Sequence, residues 1–277
     1  MSDTHILPHH EPPHQEPALK DRVALVFGAG SSGPGWGNGK ATAVTFARAG
    51  AVVVCIDVNA AAAEETRAVI AGEGGRAEAA VCDVTNSAQI NALVSDVAAR
   101  RGRIDVLHNN VGITVMGGVL EESEESFKRV LDINLTSAFL TSKACLPHML
   151  ARGKGAIVNV SSIAAVRYSY PYPSYQASKA GLNQLTMSIA LQYAKQGIRA
   201  NAIMPGMMDT PLIYKQIVGQ YDSADAMRAA RAAKTPMGRQ GTGWDIANAA
   251  LFLASDASAY ITGVSLPVDG GLTCLAI

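Results

Sequence analysis

The chain of 277 residues carries 23 Lys plus Arg against 23 Asp plus Glu, with 48% apolar and 17% charged residues. That balance supplies a large core and excludes a disordered polymer, and without a basic run of five or more the footprint of a nucleic-acid binder is missing. No apolar run approaches the roughly 20 residues that span a bilayer, so a small molecule is the expected partner, not nucleic acid or membrane.

Residues 1–20, MSDTHILPHHEPPHQEPALK, hold four of the six histidines, His5, His9, His10 and His14. Neither a cysteine nor a regular ligand spacing accompanies them, so the segment reads as a flexible tail and no metal is expected. It has no apolar stretch of signal-peptide length, and Cys55, Cys82, Cys145 and Cys274 show no metal or disulfide spacing. A cytoplasmic location is the expectation.

From Asp21 to residue 277 a single domain is expected. Short β-branched runs alternate there with Ala-rich helical patterns, the signature of an α/β fold with a parallel sheet buried on both faces. The expected strands are Val23–Phe27, Val52–Ile56, Ala77–Cys82, Val106–His108, Ala156–Val160, Arg199–Ile203 and Gly263–Pro267. Helices are expected at Ala41–Ala49, from a cap at Asn86 to about Ala99, and from a cap at Ser123 through Phe127. Another runs from YQASK to Leu191. The stretch between Gly206 and Thr242 is the one long segment of unclear structure, with apolar residues at helical spacing in part of it, and its position suits a substrate lid over about 207–241.

The first strand runs into GAGSSGPGWGNGKA and then a helix, where backbone N–H groups and the helix dipole can hold a diphosphate with no side chain in the way. A flexible surface loop would account for the glycines alone. The second strand, however, ends in Asp57, whose carboxylate can accept from both ribose hydroxyls of an adenosine and would repel a 2′-phosphate. NAD is therefore expected over NADP, although Lys40 lies in the same region.

Tyr175 and Lys179 stand four apart in the YQASK helix and share one face. An ammonium there favours a phenolate and would lower the tyrosine pKa, fitting Tyr175 to take or give an alcohol proton. The strand AIVNV ends in Ser161 and Ser162, at the edge of the sheet where open α/β folds bind ligands. Each of these residues has an ordinary structural explanation when taken singly.

Together they resemble the short-chain dehydrogenase/reductase family from about Arg22 to Leu272. The motifs are the glycine-rich turn, Asp83 after the third strand, NNVG at Asn109 to Gly112, Asn134 in DINL, Ser162, the Tyr175 and Lys179 pair, and Pro205-Gly206 followed by Thr210. The resemblance implies a Rossmann-like, doubly wound sheet of about seven strands with helices on both faces, and a homotetramer. It implies a catalytic group of Asn134, Ser162, Tyr175 and Lys179. Tyr175 would be the general acid/base, Ser162 would orient the carbonyl, and Asn134 would hold a water in a proton relay. Lys179 would lower the tyrosine pKa and bind the nicotinamide ribose.

The cofactor contacts implied are Gly28, Ser31, Ser32, Gly37, Asn38 and Gly39 in the turn, Asp57 with Val58, and Asp83 with Val84. Asn110, Val111 and Gly112 follow, then Tyr175 and Lys179, and finally Pro205, Gly206, Met208 and Thr210. The turn is about five residues longer than the family's, so Gly33 and Gly35 compete with Gly37 and Gly39 for the paired positions. Ser31, Ser32 and Trp36 either contact the adenosine end or cover it.

The stretch IAAVRYSYPYPS between Ser162 and Tyr175 makes Tyr168, Tyr170 and Tyr172 candidate pocket walls or interface residues, and Arg167 a candidate carboxylate partner. The lid's Arg228, Arg231 and Lys234 suit cover over an apolar substrate or screening of an acidic one. The expected activity is hydride transfer between NAD(H) and a secondary alcohol or ketone. An NADP-linked reductase of 3-oxoacyl thioesters and a non-catalytic dinucleotide sensor are the alternatives.

Overall fold

The computed structural model describes residues 18–168 and 170–275. The expected tail lies outside these as far as residue 17, and with it His5, His9, His10 and His14. The domain begins before Asp21, however. Leu19 is fully buried, and its amide donates to the Ala49 carbonyl at 2.9 Å.

Seven strands form one parallel sheet: β1 (Val23–Phe27), β2 (Val52–Asp57), β3 (Arg76–Val81), β4 (Val106–Asn109), β5 (Gly155–Val160), β6 (Ile198–Pro205) and β7 (Ser265–Val268). Every expected strand is present, with ends displaced by two residues at most. The start of β7 moves because Gly263 adopts φ +80°, outside the range of a strand, while its N–H bonds to Ala200 O at 2.8 Å.

The helices are α1 (Asn38–Arg48), α2 (Ala60–Gly72), α3 (Ser87–Arg101), α4 (Glu124–Leu131), α5 (Ser137–Arg152), α6 (Pro173–Tyr193), α7 (Pro211–Ile217), α8 (Ala224–Lys234) and α9 (Gly243–Ala254). Side chains start several of them: Asn59 accepts from first-turn amides of α2, Asn86 from those of α3, Ser123 from α4 and Ser223 from α8. One π-helical turn, Asp132–Thr136, joins α4 to α5.

Successive residues of β1 feed opposite cores, as the two-residue period of a strand requires. Ala24 and Val26 pack with Val44 and Phe46 of α1 and Ile246 and Ala250 of α9. Val23, Leu25 and Phe27 pack with Val94 of α3, Met149 of α5 and Ile189 of α6. The order across the sheet is β3-β2-β1-β4-β5-β6-β7. Connections from β1 lead one way and those from β4 the other, so the chain leaves a crevice at the carboxyl ends of β1 and β4, the switch point where doubly wound sheets take ligands.

Candidate active site

A cleft of about 1130 Å³ opens along that edge and runs from the β2 end to the β5 and β6 ends. All but two of the site residues expected from the sequence line it, the exceptions being Gly39 and Asn134.

At the β1 end, Gly28, Gly30, Ser31, Ser32, Gly37 and Asn38 form the wall. Gly37 is the N-cap of α1 and offers no capping side chain, unlike the residues that start α2, α3, α4 and α8. The first-turn amides of α1 are thus left to a ligand, the arrangement that binds phosphate oxygens. Gly39 acts through packing instead of contact. A β carbon there would lie 1.8 Å from Gly28 O and 2.6 Å from Asn110 Nδ2, and Asn110 Nδ2 itself donates to Gly28 O at 3.0 Å. Gly37 and Gly39 therefore take the paired positions, and Gly33 and Gly35 fall in the extra loop outside the cleft wall.

Gly30 was not singled out by the sequence reading, although it too is constrained. A β carbon on it would stand 2.7 Å from Asp57 Oδ2 and 2.6 Å from the Ala62 side chain. The Gly30 amide donates to Asp57 Oδ2 at 3.0 Å and the Asn59 amide to Oδ1 at 3.0 Å, so two backbone groups aim the carboxylate. Lys40 is turned away from it: the buried ammonium pairs with Glu65 and lies 5.0 Å from the centre of the Trp36 ring. Trp36 is not in the cleft wall but packs against Trp244 of α9, with ring centres 4.5 Å apart and planes tilted by 47°. A cradle of three close-packed glycines, an uncapped helix start and an acid at the end of β2 fits a dinucleotide.

At the other end, α6 presents Tyr175 and Lys179 toward the end of β5, where Ser162 lies. Lys179 Nζ, almost fully buried, donates to Val160 O at 2.8 Å and sits 5.7 Å from the centre of the Tyr175 ring. The Ser162 hydroxyl accepts from Ala164 N at 3.1 Å and lies near enough to the Tyr175 phenol to favour its ionised form. The expected drop in the tyrosine pKa is not what this arrangement produces. Burial pushes the phenol up to about 12, and the nearby Ser162 hydroxyl pulls only partly the other way. Burial lowers the Lys179 ammonium to about 8.

Asn134 stands behind the cleft, in the π-helical turn, almost fully buried. Its Oδ1 accepts from Ile113 N at 2.8 Å, while Nδ2 donates to Ile113 O at 2.9 Å and to Ser178 Oγ at 3.0 Å. Both amide hydrogens are used, and the side chain braces the loop after β4 against α6. Ser178, adjacent to Lys179, completes that brace and carries no motif of its own.

Tyr170 and Tyr172 line the cleft and form an aromatic run with Tyr175, at 5.9 and 5.1 Å between ring centres. Tyr168 is 76% exposed and is not a pocket wall. Arg167 is committed to the carboxyl-terminal segment through Leu272 O and Leu275 O, the latter at 3.0 Å, and is not a carboxylate partner in the cleft. The lid segment contributes Met207, Met208, Leu212, Ile213, Ile217 and Arg231. Among the described residues no helix is long and apolar enough to cross a membrane, and no group of three or more His, Cys, Asp or Glu could hold a metal ion.

Comparison with known proteins agrees with this geometry. A family model described as enoyl-(acyl carrier protein) reductase matches residues 34–273. Cis-4-hydroxycyclohexanecarboxylate dehydrogenase of Sinomonas cyclohexanicum is 42% identical over 259 residues, covering 93% of this chain and 99% of that protein. A Burkholderia xenovorans structure described as a short-chain dehydrogenase/reductase superposes with TM-score 0.88 at 41% identity, covering 94% of this chain and 99% of that one. A gluconate 5-dehydrogenase from Burkholderia cenocepacia in complex with NADP and tartrate gives TM-score 0.85 at 34% identity, over 94% and 98% of the two chains.

Proposed function

The chain belongs to the short-chain dehydrogenase/reductase family of oxidoreductases, and on that premise we propose that it transfers a hydride between NAD(H) and a secondary alcohol or its ketone, with Tyr175 as general acid/base. The carrying observation is that Ser162, Tyr175 and Lys179 share one cleft with the uncapped start of α1 and the aimed carboxylate of Asp57. A sensor that only bound a dinucleotide would have no need of a serine, a half-buried phenol and a buried ammonium together at the far end.

Gly28, Gly30, Gly37 and the first turn of α1 would hold the diphosphate, Asp57 the adenosine ribose, Asp83 and Val84 the adenine, and Pro205 to Thr210 the nicotinamide end. When bound, the nicotinamide supplies the hydride donor or acceptor. The protein's own part is the proton. Burial keeps Tyr175 protonated at neutral pH, ready to donate to a carbonyl oxygen as it becomes an alkoxide. In the opposite direction the phenol must lose that proton first, and both the Ser162 hydroxyl and the Lys179 charge favour the phenolate. Ser162 orients the reacting oxygen, and Asn134 fixes the spacing of the loop after β4 from α6.

Asp57 supports NAD over NADP because a carboxylate at the end of β2 would repel a 2′-phosphate, and Lys40 is engaged by Glu65 and Trp36. A homotetrameric, cytoplasmic protein completes the proposal. Exposed Phe139 on α5 and Met187 and Leu191 on α6 support an interface, and the free cysteines Cys55, Cys82, Cys145 and Cys274 support a reducing compartment.

The test is incubation with NAD and a panel of secondary alcohols, diols, sugars and hydroxy acids, reading reduced nicotinamide, with Tyr175→Phe beside it and NADH binding measured for both. Turnover by the wild type with a loss of about 100-fold or more in the variant, at unchanged NADH affinity, is expected. A variant that turned over at the wild-type rate would remove Tyr175 from the chemistry.

A further inference from the structure

The lid helix α8 turns two residues inward, one helical turn apart: Met227, fully buried, and Arg231, 4% exposed. An arginine on such a face is unusual, because burying a guanidinium is costly unless its donors and its charge are both satisfied. Here they are not. Nε donates to Gln240 Oε1 at 2.5 Å and Nη2 reaches Met208 O at 3.4 Å, both neutral acceptors. Among the described residues no carboxylate pairs with Arg231 and no group accepts from Nη1.

Other arginines of the protein show what a structural one looks like. Arg199 spends its guanidinium on Leu253 O, Ser255 O, Ile261 O and Ser258 Oγ. Arg228, on the same helix as Arg231, pairs with Asp225, and Arg239 pairs with Asp245. Lys234 is exposed to solvent. Of the three lid cations singled out in the sequence, only Arg231 reaches the cleft, where it joins the apolar side chains of Met207, Leu212, Ile213 and Ile217.

A guanidinium has five N–H donors in a planar fork suited to two oxygens of one anion. We propose that Arg231 is an anion anchor of the substrate pocket, and that the substrate is a hydroxy or oxo compound bearing a carboxylate or sulfonate on an apolar skeleton. This rests on the dinucleotide oxidoreductase reading and extends it to the substrate. The Nε and Nη2 bonds hold the fork, the apolar lid residues cover the carbon skeleton, and the remaining donors take the acid while the carbinol lies at Tyr175 and Ser162.

The test uses binding, so it does not require the natural substrate. The protein is saturated with NADH, a step that itself checks the dinucleotide reading, and titrated in a calorimeter with cyclohexanecarboxylate and with the isosteric neutral cyclohexanecarboxamide. The wild type is expected to prefer the carboxylate by about tenfold or more. Arg231→Met should abolish the preference and Arg231→Lys keep part of it, with NADH affinity unchanged in both. Equal affinity for the two probes in the wild type, or binding of neither, overturns the proposal without touching the oxidoreductase reading. So does a preference that survives in Arg231→Met. NADH affinity falling more than about tenfold in Arg231→Met would instead assign the guanidinium to a cofactor phosphate and overturn the substrate role. Failure of the wild type to bind either NADH or NADPH would remove the reading itself, and this inference with it.

Discussion

Asn134 and Ile113 are joined by a closed pair of hydrogen bonds, side-chain oxygen to backbone amide and side-chain amide to backbone carbonyl, at 2.8 and 2.9 Å. The side chain stands in for a neighbouring strand just where the chain leaves β4. Replacing it leaves both backbone groups of Ile113 without that partner in a part-buried setting, at a cost of about 2 kcal/mol. Asn134→Ala is expected to lower Tm by about 4–8 °C in a chain of this size. It should also lower kcat at little change in NADH affinity, because the loop it braces carries Gly112 against Lys179. Scanning calorimetry and NADH titration of the variant check both parts, and an unchanged Tm would remove the brace.

The direction of the Tyr175 shift sets a pH dependence for each half of the reaction. Alcohol oxidation needs the phenolate, and with the phenol pushed up to about 12 that form is scarce at neutral pH. Oxidation should therefore climb with pH by up to about one log unit per unit. Ketone reduction uses the protonated phenol and should stay level through neutrality, falling only in the alkaline range. Lys179, at about 8, adds an inflection near that pH as its charge is lost. Profiles of kcat/KM measured in both directions decide this, and oxidation that did not respond to pH from 6 to about 9 would contradict it.

Asp57→Ser removes the charge opposing a 2′-phosphate and the acceptors offered to the ribose. The affinity for NADH is expected to fall by about 10- to 100-fold, the scale of charge-assisted hydrogen bonds, while NADPH binding improves. Fluorescence titration with both cofactors reads the ratio. Wild-type protein that bound NADPH more tightly than NADH would reverse the cofactor assignment outright.

His108 gives the fold an acid limit. Its ring is fully buried in β4, edge-on to Phe46 at 5.9 Å between centres, and neither nitrogen has a hydrogen-bond partner. Burial lowers its pKa from 6.5 to about 3. The unfolded chain thus takes up a proton between those values that the folded chain refuses, so this contribution is complete above 6.5 and declines as the pH falls. The slope is about 1.4 kcal/mol per pH unit for one proton. His108→Leu should be at least as stable at pH 7 and lose less stability at pH 5. Denaturant melts of both proteins at the two pH values test this, and parallel losses would show that other groups govern the acid limit.

Much of the architecture was legible because β-branched runs and helix caps are local signals. Asn86 and Ser123 start their helices as read, and the seven strands fall where the runs lie. Strand ends were less so, since the limit of β7 depends on the left-handed Gly263 beside Ala200. Tyr175, Lys179 and Ser162 were readable as motifs, but their electrostatics were not: spacing says that an ammonium is near and nothing of how dry the site is. Gly39 over Gly35 was open in the sequence because both fit a glycine-rich turn, and only the approach of Gly28 O to within 1.8 Å of a β carbon decides it. The inward turn of Arg231 had one trace, its four-residue spacing from Met227, set against the general preference of arginine for solvent.

The contact of Trp36 with Trp244 has an optical consequence. These are the chain's two tryptophans, and their rings lie 4.5 Å apart between the glycine-rich loop and the start of α9. All indole emission therefore originates at one spot, beside the helix start that would receive the diphosphate. Reduced nicotinamide absorbs where indole emits, so the protein carries a built-in donor for resonance energy transfer. Occupancy of the cleft can be followed by quenching without attaching a dye.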